Sequence, residues 1–122
     1  MRYTHPMGQI PECFARSEAC RKAYGELATF LGQFQDVVIE PKQASAHFVA
    51  GGAAFLGAHP RRDGIRINIV LSRMLSNGRI VKAEQTSKNR FHNEVDLAGD
   101  VPIDPELGDW ITEAYNLRMA RV

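Results

Sequence analysis

Apolar side chains recur at helical spacing near both ends of the chain. In residues 12–35 the spacings are three, four and seven, which places the apolar groups along one side of an α-helix. The sequence therefore predicts a first helix that begins near Pro11 and ends at Gly32 or a few residues later. A second helix is predicted from Pro105 to about Ala120, with Asp104 as its N-cap.

Between the helices, apolar and polar residues alternate with a period of two, which is typical of half-buried strands. The clearest case is the segment 65–71, where isoleucines alternate with polar residues. The glycine pair at 51–52 predicts a hairpin turn, and HPRRDG at 59–64 predicts another, in which Asp63 and Gly64 permit a positive φ. Residues 79–84 fit either a short strand or a helical turn. The remaining predicted strands are 37–39, 44–50, 53–58 and 91–97.

These elements predict an α+β fold: a single antiparallel sheet of four to six strands, with an N-terminal and a C-terminal helix packed on one face. A length of 122 residues with 44% hydrophobic and 24% charged residues suits one domain, with its core in 12–120. By alternation, the other face of the sheet carries polar side chains, namely Ser45, His47, Arg66, Asn68, His92, Glu94 and Asp96.

The most apolar run, residues 48–58, has about half the length that a membrane-spanning helix needs. The first twelve residues lack the apolar segment of a signal peptide, so we expect a cytoplasmic protein with no membrane partner. Cys13 and Cys20 are seven residues apart. In one continuous helix their α-carbons would be about 10 Å apart. A disulfide requires less than about 7 Å, so we expect two reduced, buried thiols.

Basic residues are concentrated in the middle of the chain. Residues 61–103 contain eight basic and five acidic groups, and six of the eight are arginines. Arginine presents a planar fork of donors that suits phosphates and carboxylates. A nucleic-acid partner is possible but weakly supported, because the isoelectric point of 7.8 lies below the value of about 9 that is typical of dedicated nucleic-acid binders.

Three segments carry a family resemblance: PKQASAHF at 41–48, HPRRDGIRINIVL at 59–71 and SKNRFHNEVDL at 87–97. Together they resemble a bacterial domain family of unknown function that is related to the YdhG-like and YjbR-like small α+β domains. The resemblance spans residues 12–120. It implies the same fold and draws attention to a lysine, a basic turn and an arginine followed by a histidine, but no reaction is established for that family. The matching residues here are Lys42 and Phe48, then Arg62, Asp63 and Gly64, then Arg90 and His92.

A binding site on the polar face is the main functional hypothesis. The side chain of His92 has an ordinary pKa near neutrality and lies close in sequence to Arg90, so the two suit a small anionic ligand or a protein partner. No catalytic residue and no cofactor is assigned. The pattern H-N-E-V-D at 92–96 places three potential ligands on one face, but such charges are usual on an exposed strand, so no metal site is expected. The candidate ligand-binding residues are His92, Arg90, Arg66, His47 and Lys42.

Two alternatives belong to other functional classes. The first is a small enzyme that uses His92 as a general base on a substrate held by arginines. The second is a structural or dimerisation domain, in which a sheet edge near Pro41 or the glycine-rich hairpin pairs between chains. The sequence fixes neither the oligomeric state nor the chemical identity of a ligand, although a non-catalytic binding module is the preferred interpretation.

Overall fold

A computed structural model describes residues 10–120 and confirms the predicted α+β class. Six antiparallel strands form one sheet, with one helix before it in the chain and one after it. The helices are α1 (Glu18–Leu31) and α2 (Pro105–Met119). The strands are β1 (Val38–Pro41), β2 (Ala46–Ala50), β3 (Ala53–Arg61), β4 (Gly64–Leu71), β5 (Ile80–Ser87) and β6 (Arg90–Ala98).

The strand order in the sheet is β1-β2-β3-β4-β6-β5. Both helices pack on the same face, against the four strands β2, β3, β4 and β6, so β1 and β5 lie at the edges outside the helical layer. The core between helices and sheet includes Leu27 and Ile111 from the helices and Phe48, Ile67 and Val95 from the strands. We call the opposite side of the sheet the open face.

The first helix is shorter than the sequence predicts, because the chain leaves helical geometry at Ser17. This residue is extended, with φ −136° and ψ 156°, and its hydroxyl accepts a hydrogen bond of 3.1 Å from the backbone N–H of Cys20. A separate 3₁₀ turn, Glu12–Phe14, holds Cys13. Both cysteines are buried and free as expected, but the premise that they share one helix is wrong.

The hairpin between β2 and β3 confirms the predicted glycine turn, because Gly51 and Gly52 have φ values of 61° and 84°. The β3–β4 hairpin differs from the prediction. Its two turn residues are Arg62 and Asp63, and neither Asp63 nor Gly64 has a positive φ. Glycine is required at position 64 for another reason: a Cβ there would overlap the carbonyl oxygen of Leu97 on β6.

The connection from β4 to β5 has to pass β6, which lies between the two strands in the sheet. Asn93 of β6 is buried beneath this connection and is hydrogen bonded to it at both ends of its amide. Its Oδ1 accepts from the backbone N–H of Leu75 at 2.8 Å, and its Nδ2 donates to the carbonyl of Arg73 at 3.2 Å. Residues 80–87, which follow this connection, form a strand. The sequence had left a short strand and a helical turn open for this segment.

Candidate functional site

The open face brings several of the predicted residues into adjacent rows. Register places His47 opposite Gly57, Gly57 opposite Asn68, and Asn68 opposite Glu94, so the four form one row across β2, β3, β4 and β6. His92 lies in the next row, opposite Val70 and Glu84. The glycine leaves a shallow dip between the side chains of His47 and Asn68.

Asn68 and His92 are joined by a hydrogen bond, in which Asn68 Nδ2 donates to His92 Nδ1 at 2.8 Å. The imidazole therefore accepts at Nδ1 and carries its proton on Nε2. Burial lowers the pKa of His92 below its ordinary value, and the positive charge of Arg90 lowers it further, whereas Glu84 and Glu94 act in the opposite direction. At neutral pH the ring is uncharged and presents a hydrogen-bond donor.

Arg66 is held by a carboxylate on the neighbouring strand. Its Nε donates to Asp96 Oδ1 at 2.7 Å and its Nη2 donates to Asp96 Oδ2 at 3.0 Å, a bidentate arrangement between register partners. The hydrogen bonds from Arg66 lower the pKa of the Asp96 carboxyl, and the pKa of Arg66 is raised in return. The guanidinium charge is already balanced within the open face.

The two remaining predicted residues lie at the margins of the sheet. Lys42 is exposed in the β1–β2 turn, where its backbone N–H donates to Ser45 O at 2.8 Å and its Nζ lies 3.9 Å from a carboxylate oxygen of Glu40. Arg90 begins β6 beside the β5–β6 turn. The structure therefore groups His92, Arg66 and His47 on the open face, places Arg90 at its margin, and leaves Lys42 at the far edge.

Two other arginines of the basic segment have structural roles. Arg73 makes a bidentate pair with Glu113 of α2, at 3.0 and 2.9 Å. Arg79 is bonded to Asp104, the N-cap of α2, at 3.0 Å and stacks 5.8 Å from the ring centre of Trp110. These contacts fasten the β4–β5 connection to α2, so much of the positive charge in the middle of the chain is already neutralised.

Arginines without a carboxylate partner gather at the β3–β4 hairpin. A cavity of about 320 Å³ lies there, between the hairpin and the start of α1, and we call it the arginine cavity. Arg16, Arg61 and Arg62 form part of its wall, and among residues 10–120 none of the three makes an ion pair. Among residues 10–120 no carboxylate lines it, and its other lining residues are Cys13, Ser17, Cys20 and Pro60.

The walls of the arginine cavity are fixed by local contacts. The hydroxyl of Ser17 donates to the carbonyl of Arg62 at 3.1 Å while it caps α1, so one side chain joins the helix to the hairpin. Burial raises the pKa of both Cys13 and Cys20, which keeps them as thiols at neutral pH and makes them poor nucleophiles. The chemistry that the cavity offers is therefore electrostatic and hydrogen-bonding recognition by guanidinium groups.

A second cavity of about 440 Å³ lies on the other side of the same hairpin and shares Arg61 and Arg62. It differs in charge, because Asp63 and Asp96 also line it. An anion would meet carboxylates there, whereas none among residues 10–120 lines the arginine cavity; the charge of Arg61 nevertheless also acts on Asp96, whose pKa it lowers.

The sequence predicts that HPRRDG forms a turn with two adjacent arginines. It does not predict that Arg16 lies beside this turn. The sequence predicts one long helix that begins near Pro11 and so includes Arg16. Only the break at Ser17 allows the preceding segment to fold back against the hairpin. A serine with a glutamate directly after it, inside an otherwise helical pattern, is the signal from which that break could have been found.

A family model described as Domain of unknown function (DUF5655) matches residues 12–118. The chain belongs to the DUF5655 family. Its matched region covers both helices, except for the last residue of α2, and the whole sheet, so the DUF5655 domain includes the open face and the arginine cavity. No curated protein and no solved structure matches this DUF5655 chain.

Two features of the described part of this DUF5655 domain bear on its chemistry. Within residues 10–120, no group of three or more histidine, cysteine, aspartate or glutamate side chains is placed to hold a metal ion. Over the same residues, neither helix has the length and apolar character to cross a membrane.

Proposed function

We propose that the domain is a non-catalytic binding module for a small anionic ligand, and that the ligand occupies the arginine cavity. The observation that carries the proposal is the lining of this cavity, which in the described part of the chain contains three arginines and no carboxylate. Arg16, Arg61 and Arg62 are exposed, so their guanidinium groups can turn toward one bound anion and hold it through charge-assisted hydrogen bonds. The N-terminus of α1 beside the cavity adds a favourable partial positive charge.

The ligand class follows from size and donor geometry. A volume of about 320 Å³ is at the lower end of the range for small-molecule sites, which starts at about 300 Å³. Guanidinium forks bind carboxylates and phosphates in a bidentate manner. A metabolite of few atoms that carries a phosphate or a pair of carboxylates therefore fits best.

The candidate residues on the open face have a different role in this proposal. His92 lies among Arg90, Glu84 and Glu94, so its surroundings combine both signs of charge and do not favour an anion. Its neutral ring offers an Nε2–H donor, which suits contact with a carbonyl group of a protein partner. Asn68 engages Nδ1 of His92, so a general-base role for this ring would have to use Nε2.

Isothermal titration calorimetry with inorganic phosphate, pyrophosphate and citrate as probes tests the proposal. We expect saturable binding by the wild-type domain that weakens about tenfold or more in a double variant, Arg61→Gln with Arg62→Gln, because hydrogen bonds to charged groups are lost. Arg21→Gln is the matched control, since Arg21 is an exposed arginine of α1 that does not line the arginine cavity. Equal affinity in the double variant and the control would refute the site.

A short duplex DNA, titrated in parallel at several salt concentrations, tests the nucleic-acid alternative. Phosphate-dominated binding to DNA weakens steeply with salt, since counterions are released. Tight binding to DNA, with none to the small anions, would replace the proposed ligand class.

We also propose the closer kinship suggested by the sequence, to the YdhG-like and YjbR-like bacterial domains, and a cytoplasmic location. The kinship is supported by the order of the three resembling segments along the chain. The location is supported by the two free, buried thiols Cys13 and Cys20, since reduced cysteines persist in the reducing environment of the cytosol.

A further inference from the structure

The two edges of the sheet differ in how they are protected against pairing with another chain. The β1 edge is four residues long and ends in Pro41, which cannot donate a hydrogen bond to a neighbouring strand. The β5 edge is eight residues long, contains no proline, and is exposed along most of its length. Neither helix packs closely against β5, so within residues 10–120 no other strand or helix covers its free edge.

The charges on β5 are arranged so that the strand complements itself. Lys82 and Glu84 flank Ala83, and both lie on the open face, because their register partners are Glu94 and His92. In an antiparallel pair of two β5 strands centred on Ala83, Lys82 of each copy lies opposite Glu84 of the other. A parallel, in-register pair would instead place lysine opposite lysine, so the charges favour the antiparallel pair over the parallel one.

We propose that β5 is a dimerisation edge, where two copies of this chain join their sheets through an antiparallel β5–β5 pair centred on Ala83. Two-fold symmetry makes the interface self-complementary and forms the Lys82–Glu84 contact twice. The stretch from Lys82 to Gln85 is regular, since the shifts in register lie on either side of it, so the centre of the pair has ordinary strand geometry. Pairing would also cover Val81, which is 49% exposed.

Sedimentation velocity over a range of protein concentrations tests this dimer. Lys82→Glu places glutamate opposite glutamate in both contacts, and Glu84→Lys places lysine opposite lysine. We expect each single variant to raise the dimer dissociation constant about tenfold or more, because two favourable pairs become repulsive. The double variant, Lys82→Glu with Glu84→Lys, restores opposite charges and should dimerise like the wild type.

Mixing the two single variants is the most specific test. A Lys82→Glu copy complements a Glu84→Lys copy in both contacts, so an equimolar mixture should form heterodimers although each variant alone is mainly monomeric. Glu40→Lys, on the β1 edge, is the matched control and should leave dimerisation unchanged. A wild-type protein that is monomeric at all concentrations, or a dimer that both single variants retain, would overturn the proposal. Thermal unfolding of each variant, compared with that of the wild type, shows whether the substitution has altered the folded structure.

Discussion

Asn93 joins two parts of the chain that are 18 residues apart, and it is a buried polar side chain in an otherwise apolar core. Replacement by alanine leaves the backbone N–H of Leu75 and the carbonyl of Arg73 without partners. An unsatisfied buried group typically costs about 1–3 kcal/mol, so we expect Asn93→Ala to lower the free energy of unfolding by about 2–4 kcal/mol. Urea denaturation measures the change, and Asn89→Ala in the exposed β5–β6 turn is the control. A loss below about 0.5 kcal/mol, the usual size of a surface effect, would contradict this role.

His92 makes the free energy of unfolding depend on pH, beginning near neutrality. Its pKa in the folded state is lowered from the ordinary 6.5, so the unfolded chain takes up a proton more readily than the folded chain. The contribution of the neutral ring to stability is therefore present above pH 6.5 and is lost as the pH falls through the folded-state pKa. We expect NMR titration of the ring to give a midpoint below 6.5.

Asn68→Ala tests the origin of this shift. The amide lies 2.8 Å from the ring and helps to bury it, and burial is the main cause of the lowered pKa, so its removal should move the titration midpoint of His92 upward, toward the ordinary value. Asn89→Ala again serves as the control. A midpoint that is unchanged in Asn68→Ala would mean that the hydrogen bond does not hold the ring in its neutral form.

At the scale of elements, Ser17 decides where α1 begins. Ser17→Ala removes the cap on the Cys20 N–H and the bond to the Arg62 carbonyl, and loss of an N-cap costs about 1 kcal/mol. Ser17→Asn retains a capping side chain and should recover most of that loss in the free energy of unfolding. Ser76→Ala, in the exposed β4–β5 connection, is the control. Equal losses in Ser17→Ala and Ser17→Asn would show that capping does not fix this boundary.

An element could be predicted from the sequence when the interactions that determine it involve residues close together in the chain. The period of two in β4 and the glycine pair at 51–52 act over a few residues, so both were predicted from the sequence. In β5 only Ile80 and Ala83 are partly buried, so burial imposes little alternation and the pattern also fitted a helical turn. The break before α1 was missed because a local cap overrode an apolar spacing that continued through it.

At the scale of the whole molecule, the arrangement of charge decides where a ligand can bind. Alternation in the sequence predicted one polar face, and the strand registers place six of its seven residues there, whereas Ser45 precedes β2. The sequence could not predict which arginines are neutralised, because Arg66 meets Asp96 and Arg73 meets Glu113 across 30 and 40 residues of chain. These distant ion pairs neutralise the positive charges of Arg66 and Arg73. Arg16, Arg61 and Arg62, which make no such pair among residues 10–120, line the arginine cavity.

The central claim is that an anion binds in the arginine cavity, and NMR spectroscopy of the arginine Nε–H groups tests it most directly. During a titration with inorganic pyrophosphate, we expect the signals of Arg16, Arg61 and Arg62 to shift together and to saturate, because all three contact one ligand. The signal of Arg21 should stay in place. Signals that do not move at all, or that move at Arg90 while those of the arginine cavity remain fixed, would contradict the account.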